Sequence, residues 1–398
     1  MKRVAGDQSM VRINNQQLII ELVKNEGLLS RADLAKKLNM SKPTISTNIE
    51  SLLKQGILKE IGEGDSMGGR KPILLEFNKF YKYVIGIDLS SEHVNVAVGN
   101  LNGEVQGMDQ IDLTKVIKEE EILQELFRCI ERLLAAEEID QKDLGAITIA
   151  SPGIVNEETG EFVLNPQFKR WNQLSLKESF EGKFSVKTFI KNDINLAALG
   201  ESSFGAGVDY HNLAYISMGL GIGAGIIMNG ELYEGSKKAA GEISYWVPYI
   251  QDVNGETKTI ETYLSINGLL ERVKKDLKNG QSSQLLELVD EKIDELDFQQ
   301  FKKAVDQDDP YCIEMVRQSA KLMGVVIANV SSFLDLDVVI VGGEICTLGS
   351  SFINPIQEMV KKLTPFSTPV MNSALDNYAS IYGAFVVALD YVFKHIVD

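Results

Sequence analysis

A short grammar of strands occurs twice in this chain. Residues 84–88, the alternating Val94, Val96 and Val98, and Val105 beyond an Asn102-Gly103 turn spell strand, turn, strand, turn, strand. Residues 213–217, a Gly-rich turn, 224–228, and Leu232-Tyr233 beyond Asn229-Gly230 spell it again. Helical periods and further apolar strands follow each copy, 146–150 after the first and 338–341 after the second. Such a duplication predicts two related α/β halves facing one another, with a ligand in the cleft between them. The 398 residues, 44% hydrophobic and 24% charged, leave room for one further small domain.

That domain is the N-terminus, where the charge changes sign. Residues 1–82 hold 14 Lys or Arg against 9 Asp or Glu, a net +5, on a chain whose total is -16. A small basic module on an acidic body points to a localised polyanion-binding part. Leu18, Ile19, Leu22 and Val23 predict a first helix from about residue 14 to the Asn25-Glu26-Gly27 breaker. Ser30 is placed to cap a second helix over 31–38, and Ser41 a third, with Pro43 in its first turn. Ile45, Ile49, Leu52 and Leu53 form the buried stripe of the third helix, which turns Lys42, Thr44, Ser46, Thr47 and Asn48 outward. Residues 57–61 and 72–77 read as a hairpin whose tip ends in Arg70-Lys71. Three helices and a wing make a winged helix-turn-helix. The outward side chains of the third helix suit phosphates and base edges in a major groove. Gly68-Gly69-Arg70-Lys71-Pro72 suits a narrow, A/T-rich minor groove, where glycines permit close approach and the potential is most negative.

Other classes are disfavoured. Cys129, Cys312 and Cys346 are far apart, and His93, His211 and His395 are equally scattered, so neither a disulfide framework nor a zinc knuckle is expected. No apolar run approaches the ~18 residues of a membrane helix, and the opening MKRVAGDQSM lacks the apolar stretch of a signal peptide. The expectation is a cytoplasmic protein without a membrane partner.

Six motifs in order complete the pattern: Ser151-Pro152-Gly153-Ile154-Val155; Asn165-Pro166 with Trp171; the run from Asn192-Asp193 to Gly200-Glu201; Gly219 to Gly225; Gly241-Glu242-Ile243; and Val341-Gly342-Gly343. With these the chain resembles the ROK family of sugar kinases and sugar-responsive repressors, in particular the xylose-repressor type that carries an N-terminal winged helix. The resemblance implies an actin/hexokinase-like body of two lobes, a sugar between them, and a dimer or tetramer. The expected domains are a winged helix-turn-helix over 1–80, a first α/β lobe over 81–200 and a second over 201–398.

A neutral sugar needs carboxylates as acceptors and amides that both donate and accept. By the resemblance Gly153, Asn165, Asn192, Asp193, Glu242, Tyr245 and Glu261 stand at sugar-binding positions, and Asp193 would be the base if the body were a kinase. Read on its own, Asn192-Asp193 is also a good helix cap.

The departures matter as much. Kinases of the family have Asp-x-Gly-Gly-Thr after the first strand, where glycines let backbone wrap phosphate; here Asp88-Leu89-Ser90-Ser91-Glu92 brings side chains and a carboxylate. The family's zinc segment is missing, because Gly241-Glu242-Ile243-Ser244-Tyr245 lacks the histidine and 246–261 contains neither Cys nor His. The reading is therefore a sugar-responsive repressor without kinase activity, cofactor or structural metal. It binds an A/T-containing palindromic operator as a homo-oligomer and responds to a monosaccharide, xylose-type pentoses or glucose leading. The alternative is an active sugar kinase with a DNA-binding appendage.

Overall fold

A computed structural model describes residues 8–63, 72–90, 93–115, 119–156, 162–164, 175–247, 258–366 and 368–397. The head comprises α1 (Gln8–Glu26), β1 (Leu29–Ser30), α2 (Arg31–Lys37), α3 (Lys42–Gln55), β2 (Leu58–Glu63) and β3 (Ile73–Phe77), its strands ordered β1-β3-β2. Both predicted caps are present. Ser30 and Asp33 exchange bonds in a capping box, and the Ser41 hydroxyl accepts from Thr44 N at 3.3 Å. Gly56, at φ 82°, ends α3 in the left-handed region. Two expectations for α1 fail: it starts at Gln8, and Leu18 is 45% exposed, because Ile19, Ile20 and Val23 take the face toward the head's core.

The first lobe is built from β4 (Tyr83–Leu89), β5 (His93–Asn100), β6 (Val105–Asp112), α4 (Glu119–Ala136), β7 (Leu144–Ser151), the small ribbon of β8 (Ile154–Val155) and β9 (Phe162–Leu164), α5 (Leu176–Phe184), β10 (Lys187–Asn192) and α6 (Asp193–Phe204). The second contains β11 (Leu213–Met218), β12 (Ile222–Met228), β13 (Glu231–Leu232), α7 (Ile260–Leu264), α8 (Ile266–Lys278), α9 (Leu285–Leu288), α10 (Phe298–Asp306), α11 (Pro310–Leu334), β14 (Val338–Gly342), α12 (Ser350–Leu363) and β15 (Val370–Asn372). The last helix is α13 (Ala379–His395).

The two body sheets have the same plan. One is ordered β6-β5-β4-β7-β10 and the other β13-β12-β11-β14-β15, each an antiparallel meander followed by two parallel strands. The duplication read from the Asn-Gly turns is thus a duplication of topology. β5 is buried on both faces: Val94, Val96 and Val98 join the core beneath α4, and Ala97 joins the cluster of Phe385 from α13.

By sequence α13 falls in the 201–398 span, yet in space it covers β4 and β7 of the first sheet and runs against α6. The crossing of α6 and α13 leaves no room for a β-carbon. One built on Gly200 would stand 2.1 Å from Ala379 O, and one on Gly383 1.7 Å from Leu196 O. The far end of α13 reaches the head, where the Phe393 ring lies 5.8 Å from that of Phe77 and Lys24 Nζ sits 3.9 Å above it. Gln17 Nε2 donates to Lys394 O at 3.1 Å. The tether between head and body is also fastened, with Leu101 N donating to Lys79 O at 2.9 Å and Lys79 Nζ 2.7 Å from Glu104.

The glycine crossing gives a direct stability test. Gly383→Ala is expected to cost ~3 kcal/mol or more in urea unfolding, since backbone rather than a flexible side chain must yield. Gly182→Ala in α5, where nothing lies within 4 Å, is expected to be neutral or to stabilise by ~0.5–1 kcal/mol.

Candidate functional sites

The residues expected to meet DNA lie on α3. Lys42 and Thr47 are exposed, while Thr44 and Ser46 are half-buried. The Thr47 hydroxyl is turned back onto Pro43 O at 3.0 Å, and the Thr44 and Ser41 hydroxyls bond at 2.8 Å. Asn48 is a correction. It is only 5% exposed and donates to Thr44 O at 2.8 Å, because a position three beyond Ile45 and four before Leu52 lies on the packed side of a 3.6-residue helix. Asn48 therefore stiffens the helix rather than reading bases. Arg70 and Lys71 lie outside the described residues.

Between the lobes is a cavity of about 150 Å³ lined by Asp88, Asp193, Tyr215, Ser217, Gly343, Asp376, Asn377 and Ser380 among others. Its walls come from strand ends of both sheets and from the start of α13. Asp193 is placed there by its neighbour. Asn192 is the N-cap of α6, its Oδ1 accepting from Asn195 N at 2.9 Å, while its Nδ2 donates to Gly153 O at 3.1 Å and Asp193 Oδ1 at 3.2 Å. Capping and site-building are one arrangement. Gly153 is at φ 84°, a left-handed conformation that glycine adopts freely, and this brings its carbonyl to Asn192.

The electrostatics of the cavity are one-sided. Burial, and then the charge of Asp88, pushes Asp193 up to about 7 against the stabilising backbone N–H of Ile194, with a smaller push from Glu242. Burial likewise pushes Asp88 up to about 6, offset by the Ser380 hydroxyl, His93 and Asn95. No lysine or arginine is among the described residues lining the cavity. Glu242 forms a second acidic pair with Glu261 and is raised by burial, then by that neighbour. Glu261 in turn accepts from Ile222 N at 3.4 Å, tying it to the second Gly-rich turn. Tyr245 is 69% exposed, and Asn165 lies outside the described residues.

Sequence reasoning missed Ser217, Asp376, Asn377 and Ser380, which no motif gathers because they come from the end of β11, the turn before α13 and the first turn of α13. It also assigned no role to Glu201, which has no exposed surface. The Glu201 carboxylate accepts from Ala206 N at 2.8 Å, Leu375 N at 3.0 Å, Ala374 N at 3.3 Å and the Ser373 hydroxyl, and so anchors the turn leading to Asp376. An acidic residue inside an apolar helix was the available signal. Among the described residues, no group of three or more His, Cys, Asp or Glu is arranged to hold a metal ion, and no helix is long and apolar enough to cross a membrane.

At the described ends of the first-strand turn, Ser90 and His93 bond to one another. Ser90 N and its hydroxyl donate to His93 O at 3.0 and 2.7 Å, and His93 N donates back to the Ser90 hydroxyl at 3.1 Å. Donors spent in this way are not aimed at a phosphate.

Comparison with known proteins agrees with this division of labour. Residues 84–391 match the ROK family, and residues 14–59 match a winged helix-turn-helix DNA-binding family. The xylose repressor of Caldicellulosiruptor bescii is 29% identical over 360 residues, 90% of each chain. Among solved structures, a ROK family transcriptional regulator described as a homologue of the Escherichia coli MLC protein superposes with a TM-score of 0.79 at 23% identity, covering 96% of this chain and 98% of its own. The Streptomyces griseus ROK glucokinase, solved with glucose and AMPPNP, gives 0.66 at 23% identity, and covers 77% of this chain and 99% of its own.

The paired acids predict a pH dependence. Carboxyls raised on folding hold protons that the unfolded chain releases, so their contribution to stability is fullest below the ordinary carboxylate range and is lost as pH rises through about 6 and 7. Urea unfolding of wild type is expected to show declining stability from about pH 5 to about pH 7.5, and Asp193→Asn a shallower decline.

Proposed function

The chain belongs to the ROK family, and from that premise we propose that it is a sugar-responsive transcriptional repressor whose body senses a monosaccharide without phosphorylating it. The head binds operator DNA through α3, with Lys42, Thr44, Ser46 and Thr47 toward the major groove and Arg70-Lys71 in the adjoining minor groove. An A/T-containing palindrome would match a symmetric dimer or tetramer of cytoplasmic protein. D-xylose and D-glucose are the first sugars to test, the former because it is named in the repressor relatives.

The observation that carries this reading is the turn after Asp88, closed on itself by Ser90 and His93. A cradle for phosphate requires free backbone N–H groups and a way to balance negative charge. Here the Ser90 amide and hydroxyl and the His93 amide are spent within the turn, and the cavity beside them is lined by Asp88, Asp193 and Asp376.

What remains suits a sugar. Asp193 accepts from a hydroxyl when ionised and donates to one when protonated, and a pKa near 7 keeps both forms available. Glu242 and Glu261 offer a second set of acceptors from the opposite lobe. A sugar that binds the closed body more tightly than the operator-competent body shifts the population off DNA, by no more than that difference in affinity.

The test is Asp193→Asn in the full chain. Loss of a charged hydrogen-bond acceptor is expected to weaken D-xylose or D-glucose about 10-fold to 150-fold, from ~1.5–3 kcal/mol, with operator affinity in the absence of sugar unchanged. Neither protein is expected to turn over ATP. Wild-type turnover that disappears in Asp193→Asn would overturn the reading in favour of a kinase.

A further inference from the structure

The inter-lobe cavity and the head are joined by one pair of helices. α13 begins in the cavity wall, where Ala379 and Ser380 line it and the Ser380 hydroxyl supports the Asp88 carboxylate. Its 17 residues span about 25 Å at 1.5 Å per residue. The other end carries Phe393, held between Phe77 and Lys24 of the head. α6 also begins in the cavity, at Asp193, and is locked to α13 at both glycine crossings. Its last residue, Phe204, faces Gly103 so closely that a β-carbon there would stand 2.4 Å from the ring. Gly103 belongs to the turn that holds the tether through Leu101 and Glu104. Both attachments of the head therefore lead back to the same two helices.

Packing makes this pair a poor hinge. The Phe385 ring on α13 fills the space over Gly99, and the Glu201 carboxylate on α6 clamps the turn that leads into α13. An interior at crystal-like density transmits a displacement at one end rather than absorbing it.

We infer that the α6–α13 pair moves as one body and carries the state of the inter-lobe cavity to the DNA-binding head, with Phe393 as the contact through which the head is turned. The inference rests on the sensing role proposed above and adds its route. A sugar drawing Asp193 and the Ser380 end of α13 toward the second lobe displaces Phe393 against Phe77 and Lys24. The head, fastened at two places, follows. The tether holds the head as a pivot while Phe393 turns it, so truncating Phe393 leaves both sites intact and removes the contact that carries the change.

The experiment uses the full chain, D-xylose and D-glucose as probes, and an operator duplex selected by the protein itself. In wild type the sugar is expected to change operator affinity about tenfold or more; in Phe393→Ala the change should fall below about twofold, with sugar affinity and sugar-free operator affinity retained. Phe393→Leu keeps an apolar side chain without the ring, and supplies the same comparison should Phe393→Ala fail to fold. A second arm needs no sugar. Ser380→Ala, made at the cavity end, is expected to alter hydrogen exchange of head residues 15–26 and 73–77 in an otherwise wild-type chain and to leave them unaltered when Phe393 is replaced as well. A full sugar response in the Phe393 variants overturns the inference, as does a head that ignores Ser380→Ala. Failure of every sugar to bind wild type counts against the sensing role alone, because the Ser380 arm still decides whether the helices couple cavity and head.

Discussion

α6 and α13 touch backbone to backbone at Gly200 and Gly383, and most of what the molecule does is organised around that contact. Because a β-carbon is excluded at both crossings, the helices can neither slide nor rotate far relative to one another. α13 is thereby pressed onto β4 and β7, filling the face of the first sheet that Gly86, Ala97 and Gly99 leave bare. The same contact sets the start of each helix at the inter-lobe cavity. Asp193 opens α6 and Ser380 lies one residue inside α13, so the chemistry of the site and the packing of the core share a frame.

That frame holds a costly arrangement. Asp88 and Asp193 are half-buried in the wall of one cavity, with no cation among the described residues lining it. Burial raises both, the charge of Asp88 adds to the push on Asp193, and a partner that offers further hydrogen bonds offsets part of that cost. Hydroxyl groups do so without adding charge, whereas a phosphate would add repulsion. Ser90 and His93 turn their donors onto one another rather than toward the cavity. Both facts support the proposed role of a sugar sensor.

Much of this was legible in the sequence, for definite physical reasons. Turns and caps are local, so Ser30, Ser41, Asn102-Gly103 and Asn229-Gly230 announce the head and the duplicated sheets. Where burial depends on a distant segment, local reading failed. Asn48 looks outward by residue type and is inward by helical phase, and Leu18 is apolar yet exposed. That β5 is covered on its second face could not be read locally, because the helix that covers it arrives nearly 300 residues later as α13. At the site, Asn192 and Asp193 stood within one motif. Asp376, Asn377 and Ser380 did not, since a cavity between lobes draws on turns that only tertiary structure brings together.

The central claim is that one molecule couples a sugar cavity to an operator-binding head, and reciprocity tests it most directly. Isothermal titration would compare D-xylose or D-glucose binding to the free protein with binding to the same protein saturated with operator duplex. The account predicts a sugar dissociation constant that is larger on DNA by the same factor by which sugar weakens the operator complex. Equal sugar affinity for free and operator-bound protein would contradict it.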